Sequence, residues 1–226
     1  MIKAAVFDLD HTLFDRYGTL KKILPAFSRH FEMGVDIEKA TELMIEADKK
    51  YVHSGWENIH SSLVRQGFFA VPPTFDEYKE ALLLEFSKCA VPYSFTKPML
   101  DELHAMGIKT GLITNGRSEI QRGKLRQLDL ESYLDEIIIS GEFGAAKPDP
   151  SPYTAMADRL GMEPGEIIYV GDNPSTDILG ARNAGFVPVW VETLGWWTFP
   201  DIEKTEYSVK DVSEIPSLIR KINGSN

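Results

Sequence analysis

The sequence predicts an α/β protein, a doubly wound parallel sheet interrupted after its first strand by a bundle of helices. Three observations carry that prediction. Ile2 to Phe7 is a short apolar run of buried-strand character that ends in the carboxylates Asp8 and Asp10. From Arg16 to about Pro92 the patterning is helical, with no strand-like run between. After Pro92, short apolar runs alternate with helical segments, the order that right-handed crossovers turn into a parallel sheet.

In the helical stretch, Leu20, Leu24, Phe27 and Phe31 recur at helical spacing, and Pro25 is expected to bend or split that first helix. Asp36 is a candidate N-cap for Ile37 to Tyr51, where Ala40, Leu43, Met44 and Ala47 share one face. Trp56 to Gly67 carries Ile59, Leu63 and Val64 at helical spacing. Pro72-Pro73-Thr74 then opens a segment from Phe75 to Cys89. About four short-looped helices make a bundle. The expected division is an α/β part, residues 1–14 and 93–226, around a helical part, residues 15–92.

Beyond Pro92, Met99 to Met106 reads as a helix closed by Gly107, and Lys109 to Thr114 as a strand. Arg117 to Leu128 is helical, Glu136 to Ser140 a strand, and Pro152 to Leu160 a helix ending at Gly161. Glu166 to Gly171 is a strand, Asp177 to Asn183 a helix and Val187 to Val191 a strand. Pro188 cannot donate to a ladder, so this last strand is expected at the sheet edge. Val212 to Ile222 closes the chain as a helix with Ile215, Leu218 and Ile222 inward.

The 226 residues are 43% hydrophobic and 26% charged, ordinary values for a globular chain able to bury a large core. The net charge of −10 argues against a nucleic-acid polymer or an anionic membrane as partner. No apolar run approaches a membrane span, and the N-terminus lacks the pattern of a secretion signal. Cys89 is the single cysteine, which rules out an intrachain disulfide and a thiolate metal cluster. A cytoplasmic protein, monomer or homodimer, is expected.

In strand geometry alternate side chains share a face, so Asp8 and Asp10 point the same way. Two such carboxylates repel, and a hard cation such as Mg²⁺ offsets that; taken alone, the pair fits a polar strand end equally well. What sits at the other strand ends decides. Thr114-Asn115-Gly116 follows one strand, Lys147-Pro148 lies after the next, and Gly171-Asp172-Asn173 leads to Asp177 after the fourth. Ligands bind beyond the carboxyl ends of open parallel sheets, and these are residues that phosphate chemistry with a metal requires.

Taken in order, Phe7-Asp8-Leu9-Asp10-His11-Thr12-Leu13, Leu112-Ile-Thr114-Asn115-Gly116, Ala146-Lys147-Pro148 and Gly171-Asp172-Asn-Pro-Ser-Thr-Asp177 resemble the four motifs of the haloacid dehalogenase superfamily. The helical insert resembles that superfamily's α-helical cap, and the rest its Rossmann-like core. One departure is His11, where many members carry Gly. The resemblance implies a Mg²⁺-dependent phosphatase acting on a small phosphate ester, a nucleotide monophosphate or a sugar or acid phosphate. It makes Asp8 the nucleophile that forms an aspartyl-phosphate. Asp10 would be general acid and then base, a proton-bearing carboxyl beside an ionised one. Asp8, the backbone carbonyl of Asp10, and Asp172 would bind the metal. Thr114, with amides near Asn115 and Gly116, would hold the phosphoryl group, and Lys147 would pair with it and with Asp8. Asp177 and Asn173 would stand behind, orienting Lys147 or water.

His11, Arg16, His53, Trp56 and His60 are the candidates for contact with the rest of the substrate, and Trp196-Trp197 for the rim or a subunit contact. Asp10 favours phosphatase over a 2-haloacid dehalogenase, since a halide leaves without a proton. A phosphosugar mutase and a phosphoryl-accepting signalling domain remain as alternatives.

Overall fold

Ala4-Ala-Val-Phe7 contains no polar side chain, so a strand made of it must be covered on both faces, and all four residues are buried. In the computed structural model, which describes residues 1–51, 54–193, 197 and 199–224, this strand is central. The strands are β1 (Ala4–Phe7), β2 (Lys109–Thr114), β3 (Glu136–Ile139), β4 (Ile167–Gly171), β5 (Val187–Val191) and β6 (Tyr207–Val209). They lie in the order β3-β2-β1-β4-β5-β6, each pair parallel. Ala4 pairs with Lys109 on one side and Ile167 on the other, and Phe7 with Leu112 and Val170. This register brings the carboxyl ends of β1, β2, β3 and β4 to one edge.

Between β1 and β2 lie α1 (Arg16–Phe27), α2 (Ile37–Tyr51), α3 (Trp56–Arg65) and α4 (Phe75–Lys88), packed on one another around Phe27, Met44, Phe68 and Tyr78. Asp15 caps α1 through the Gly18 N–H, and Asp36 Oδ1 accepts from Lys39 N at the start of α2. Thr74 and Glu77 form a reciprocal capping box on α4. Then come α5 (Thr96–Ala105), α6 (Ser118–Leu128), the single turn α7 (Ser140–Phe143), α8 (Ser151–Leu160), α9 (Leu179–Asn183) and α10 (Ile215–Ile222).

The period of two along β1 sorts these helices. Ala5 and Phe7 belong to a core shared with Leu100, Leu125 and Ile215 of α5, α6 and α10, and with the insert. Ala4 and Val6 face a second core of Tyr153, Met156 and Ala181 from α8 and α9. Two covered faces make the sheet doubly wound, as expected. The insert rests on the first core through α4, which crosses α6 so closely that a Cβ on Gly123 would stand 2.7 Å from Ser87 O. No described helix is long and apolar enough to cross a membrane.

Four local expectations need correction. Pro188 does not mark an edge: β6 pairs with β5 from Val189 onward, one residue beyond the proline, so no ladder bond is lost there. β6, three residues long, carried too short a pattern to read. Pro25 does not split α1, which runs through it as one helix and ends two residues later, at Phe27. The segment around Asp177 is a π-turn, Pro174–Ile178, leading into α9, and α10 starts at Ile215 after a 3₁₀ turn.

Candidate active site

Asp8 follows β1 and stays in the ladder, its N–H donating to Val170 O at 2.9 Å. The chain then turns sharply: Leu9 O accepts from the N–H groups of Thr12 and Leu13, and His11 takes φ +62°. Glycine adopts that left-handed conformation at least cost, which is the physical sense of the glycine expected there.

Lys147 gathers one half of the site. Its Nζ donates to Asp8 Oδ1 at 2.6 Å, Asp177 Oδ1 at 2.7 Å and Tyr169 Oη at 2.7 Å, which engages all three ammonium hydrogens. The loop carrying it, with a cis Lys147–Pro148 bond, is clasped by Asn115: Nδ2 donates to Lys147 O and Oδ1 accepts from Lys147 N, both at 2.9 Å. Asp177 is set from below, its Oδ2 accepting from Asn173 N, and a Cβ on Gly171 would fall 2.5 Å from its Cγ. Only glycine fits there. Asn173 itself caps the following turn through Ser175 N and Thr176 N.

Asp8, Asp172 and Asp177 each present a carboxylate oxygen, all within 4.8 Å of one another and buried. Three buried acidic groups around the one ammonium of Lys147 present the hard oxygen donors that a divalent cation takes. Burial pushes Asp8 up to about 8, against the pull of Lys147, and raises Asp177 likewise. The carboxylate of Asp10 stands outside this set.

Asp10 lines the same cavity as Asp8 but has its own set of partners. Lys124 Nζ lies 2.8 Å from both Asp10 oxygens, Gln121 Nε2 donates to Oδ2 at 3.1 Å, and Arg16 Nη1 stands 3.5 Å from Oδ1. Burial works against this charge, yet Lys124 and Arg16 outweigh it and hold the carboxyl down at about 2. Burial also lowers Lys124; the short two-oxygen contact is nonetheless that of an ion pair, so the ionised state is the one that fits. These contacts favour the ionised form of Asp10. Gln121 Nε2 also donates to Thr114 Oγ1 at 2.6 Å, tying the β1 and β2 ends together. The N–H of Gly116 is already given to Ser140 Oγ.

Of the candidates for wider substrate contact, His11, Arg16 and Trp56 line a cavity of about 710 Å³ that opens from Asp8. Arg16 is buried: its Nε lies 3.1 Å from both Asp48 oxygens and its Nη2 2.8 Å from Oδ1, and its guanidinium lies over the rings of Phe86 and Trp56. His60 does not reach the cavity. Its ring sits among Phe69, Phe75 and Tyr78, and its Nε2 is 3.0 Å from Pro73 O, so it belongs to the insert's aromatic core. His53 and Trp196 lie outside the described residues. Trp197 packs edge-on against Trp190 and donates to Ile202 O.

Sequence reasoning missed Gln121, Lys124 and Asp48. Each had a signal, a polar residue on the inward face of an amphipathic helix: Gln121 and Lys124 beside Leu125 and Leu128, Asp48 one turn after Met44.

Residues 5–191 match the sequence profile of the haloacid dehalogenase-like hydrolases. Glyceraldehyde 3-phosphate phosphatase of Methanocaldococcus jannaschii is 29% identical over 98% of this chain and 99% of its own. The N-acylneuraminate-9-phosphatase of Mus musculus is 30% identical over 98% and 95%. Among solved structures, L-2-haloacid dehalogenase from Xanthobacter autotrophicus superposes with a TM-score of 0.69 at 21% identity, covering 97% of this chain and 99% of that one. A HAD phosphatase from Thermococcus onnurineus gives 0.62 at 26%, covering 100% and 99%.

Proposed function

The chain belongs to the haloacid dehalogenase-like hydrolases, and from that premise we propose that it is a Mg²⁺-dependent phosphomonoesterase acting on a small phosphorylated metabolite. The observation that carries this reading is the pair of unlike carboxylates at the end of β1. Asp8 is buried against Lys147, while Asp10 is turned to Lys124 and Gln121. A departing alkoxide needs a proton and a departing halide does not, so a second carboxylate here favours phosphate esters. The two phosphatase relatives support the same side, whereas the likeness to the dehalogenase is one of fold.

The donor set fits a hard divalent cation, through its three buried carboxylate oxygens within 4.8 Å of one another. Asp8, Asp172 and the Asp10 backbone carbonyl would hold it, and when bound it would neutralise charge between the nucleophile and the phosphoryl oxygens. The rest is the work of the chain. Asp8 attacks phosphorus in line; its oxygen–phosphorus bond forms as the bond to the leaving oxygen breaks. Asp10 relays to that oxygen a proton that the ester itself brings, and later takes one from the water that splits the aspartyl-phosphate. Its ionised resting state suits the second step. The first requires a proton, which a phosphate monoester carries as its monoanion, with a second pKa of about 6. Because Gln121 donates to Thr114 Oγ1, the hydroxyl hydrogen of Thr114 is left to donate to a phosphoryl oxygen.

The test is phosphate release from a panel of phosphorylated metabolites, with Mg²⁺ and with chelator. Stoichiometric inorganic phosphate, lost with chelator and in Asp10→Asn of unchanged circular dichroism, is expected. Wild-type turnover by Asp10→Asn refutes the mechanism. Return of the phosphoryl group to substrate indicates a mutase, and a long-lived aspartyl-phosphate without turnover a signalling domain.

A further inference from the structure

His11 carries two burdens that a glycine at its position would not. Its backbone is left-handed, at φ +62°, a conformation a side chain disfavours. Its ring is 3% exposed, and neither Nδ1 nor Nε2 makes a hydrogen bond among the described residues. Nε2 lies 3.4 Å from Asp48 Oδ2, a long contact through which the ring helps Arg16 hold that carboxyl below the usual range, and the Tyr17 ring stands edge-on at 5.3 Å. Buried ring nitrogens are ordinarily satisfied. These two lie in a residue that directly follows Asp10 and lines the cavity opening from Asp8.

We propose that His11 is a specificity-determining residue that hydrogen-bonds a hydroxyl of the leaving group, and that the substrate is the monophosphate ester of a polyhydroxylated, sugar-like carbon skeleton. The inference rests on the phosphatase reading above and narrows it. A hydroxyl both donates and accepts, so it satisfies whichever tautomer the ring takes. Most of the lining cations are already paired: Lys147, Lys124 and Arg16 are each committed to carboxylates, and Arg117 to Glu80. Lys79 and Glu57 on the far lining carry one charge of each sign. At about 710 Å³ the cavity lies in the range that encloses drug-sized ligands, and Trp56 gives it an aromatic wall for the C–H face of a sugar.

The experiment compares kcat/KM, in Mg²⁺, for a hexose 6-phosphate, n-hexyl phosphate, a nucleoside 5′-monophosphate and 4-nitrophenyl phosphate, in the wild type, His11→Gly and His11→Asn. His11→Gly relieves the left-handed backbone, so it is expected to fold and to melt no lower than the wild type. The wild type should prefer the hexose phosphate to the hexyl ester. In His11→Gly that ratio should fall roughly tenfold or more, the worth of one buried hydrogen bond to substrate, with partial recovery in His11→Asn. An unchanged ratio in His11→Gly, or a wild type that prefers the hexyl or nucleoside ester, overturns the inference while leaving the phosphatase reading intact. No phosphate from any of the four esters overturns that reading and this inference with it.

Discussion

Replacing Asp8 by Asn should abolish activity in Mg²⁺ and make the metal-free protein more stable, and the gain should depend on pH. Asp8 is an acid whose pKa is raised from 3.8 in the unfolded chain to about 8 in the fold. Such a group favours folding fully below the unfolded value, and that contribution is lost as pH rises through the folded value. The metal-free wild type should therefore lose stability between about pH 4 and pH 8. A shift of about four pKa units sets a ceiling of roughly 5 kcal/mol. Relaxation and water penetration remove much of such a penalty, and half the ceiling is about 2–3 kcal/mol. For a chain of this size that amounts to roughly 5–10 °C in melting temperature. Asn keeps the shape and drops the charge, so Lys147 retains Asp177 while the excess of negative charge shrinks by one. Melts followed by circular dichroism should show Asp8→Asn well above the wild type at pH 8.5 in chelator, and close to it at pH 5. Added Mg²⁺ should raise the wild type at pH 8.5 and raise the variant much less. Equal melting of the two proteins at pH 8.5 without metal would refute the charge argument, as would equal Mg²⁺ stabilisation of both.

Three further outcomes follow from the same geometry. Lys124→Met removes the closest counter-ion of Asp10; kcat for alkyl phosphates should fall about a hundredfold, and less for 4-nitrophenyl phosphate, whose leaving group scarcely needs a proton. Equal losses on both substrates would assign Lys124 to phosphate binding instead. Asp48→Asn leaves the buried Arg16 without its principal counter-ion and should cost roughly 3–5 kcal/mol in urea unfolding at pH 7. Arg16 outweighs burial to hold Asp48 below the usual carboxylate range, so its contribution is present above about pH 4 and lost as pH falls further. A wild-type urea midpoint in the variant at pH 7 would contradict this. Gly123→Ala forces a methyl to within 2.8 Å of Ser87 Cβ and 2.7 Å of its carbonyl, and should destabilise by about 1–3 kcal/mol, read as a drop in melting temperature. No drop would mean that α4 and α6 separate at little cost.

The strand ends were legible because each motif is local. A strand that stops at Asp8, Thr114 or Gly171 advertises its polar end, and parallel pairing brings those ends together whatever lies between. The clamp on Asp10 was harder to see, because it is assembled from α1 and α6, more than a hundred residues apart. Lys124 looks like any solvated helix lysine until the Leu125–Leu128 side of its helix is known to face inward. His60 was misplaced for the converse reason: a histidine near a tryptophan suggests a site, but helical spacing set it against Phe69 and Tyr78. Pro188 misled because a missing donor matters only where a partner strand asks for it, and β6 begins one residue later. Asn115 lay in the right place, but its side chain serves the backbone of Lys147, a relation that no spacing along the chain encodes.

The sheet order has a consequence for synthesis. β1, which carries Asp8 and Asp10, leaves the ribosome about a hundred residues before β2 and about 160 before β4, its only two neighbours. At roughly 5–20 residues per second, this apolar strand waits on the order of ten to thirty seconds before it is fully paired. The helices of the insert need no such wait, since their contacts are mostly with one another and close in sequence. The helical insert can thus take shape on the ribosome while the strand that leads into Asp8 is still unpaired. The last clasp comes when Asn223 closes on Ile2, exchanging two hydrogen bonds with its backbone at 2.6 and 2.9 Å. Until then Asp8 has a place in the sequence but no site around it.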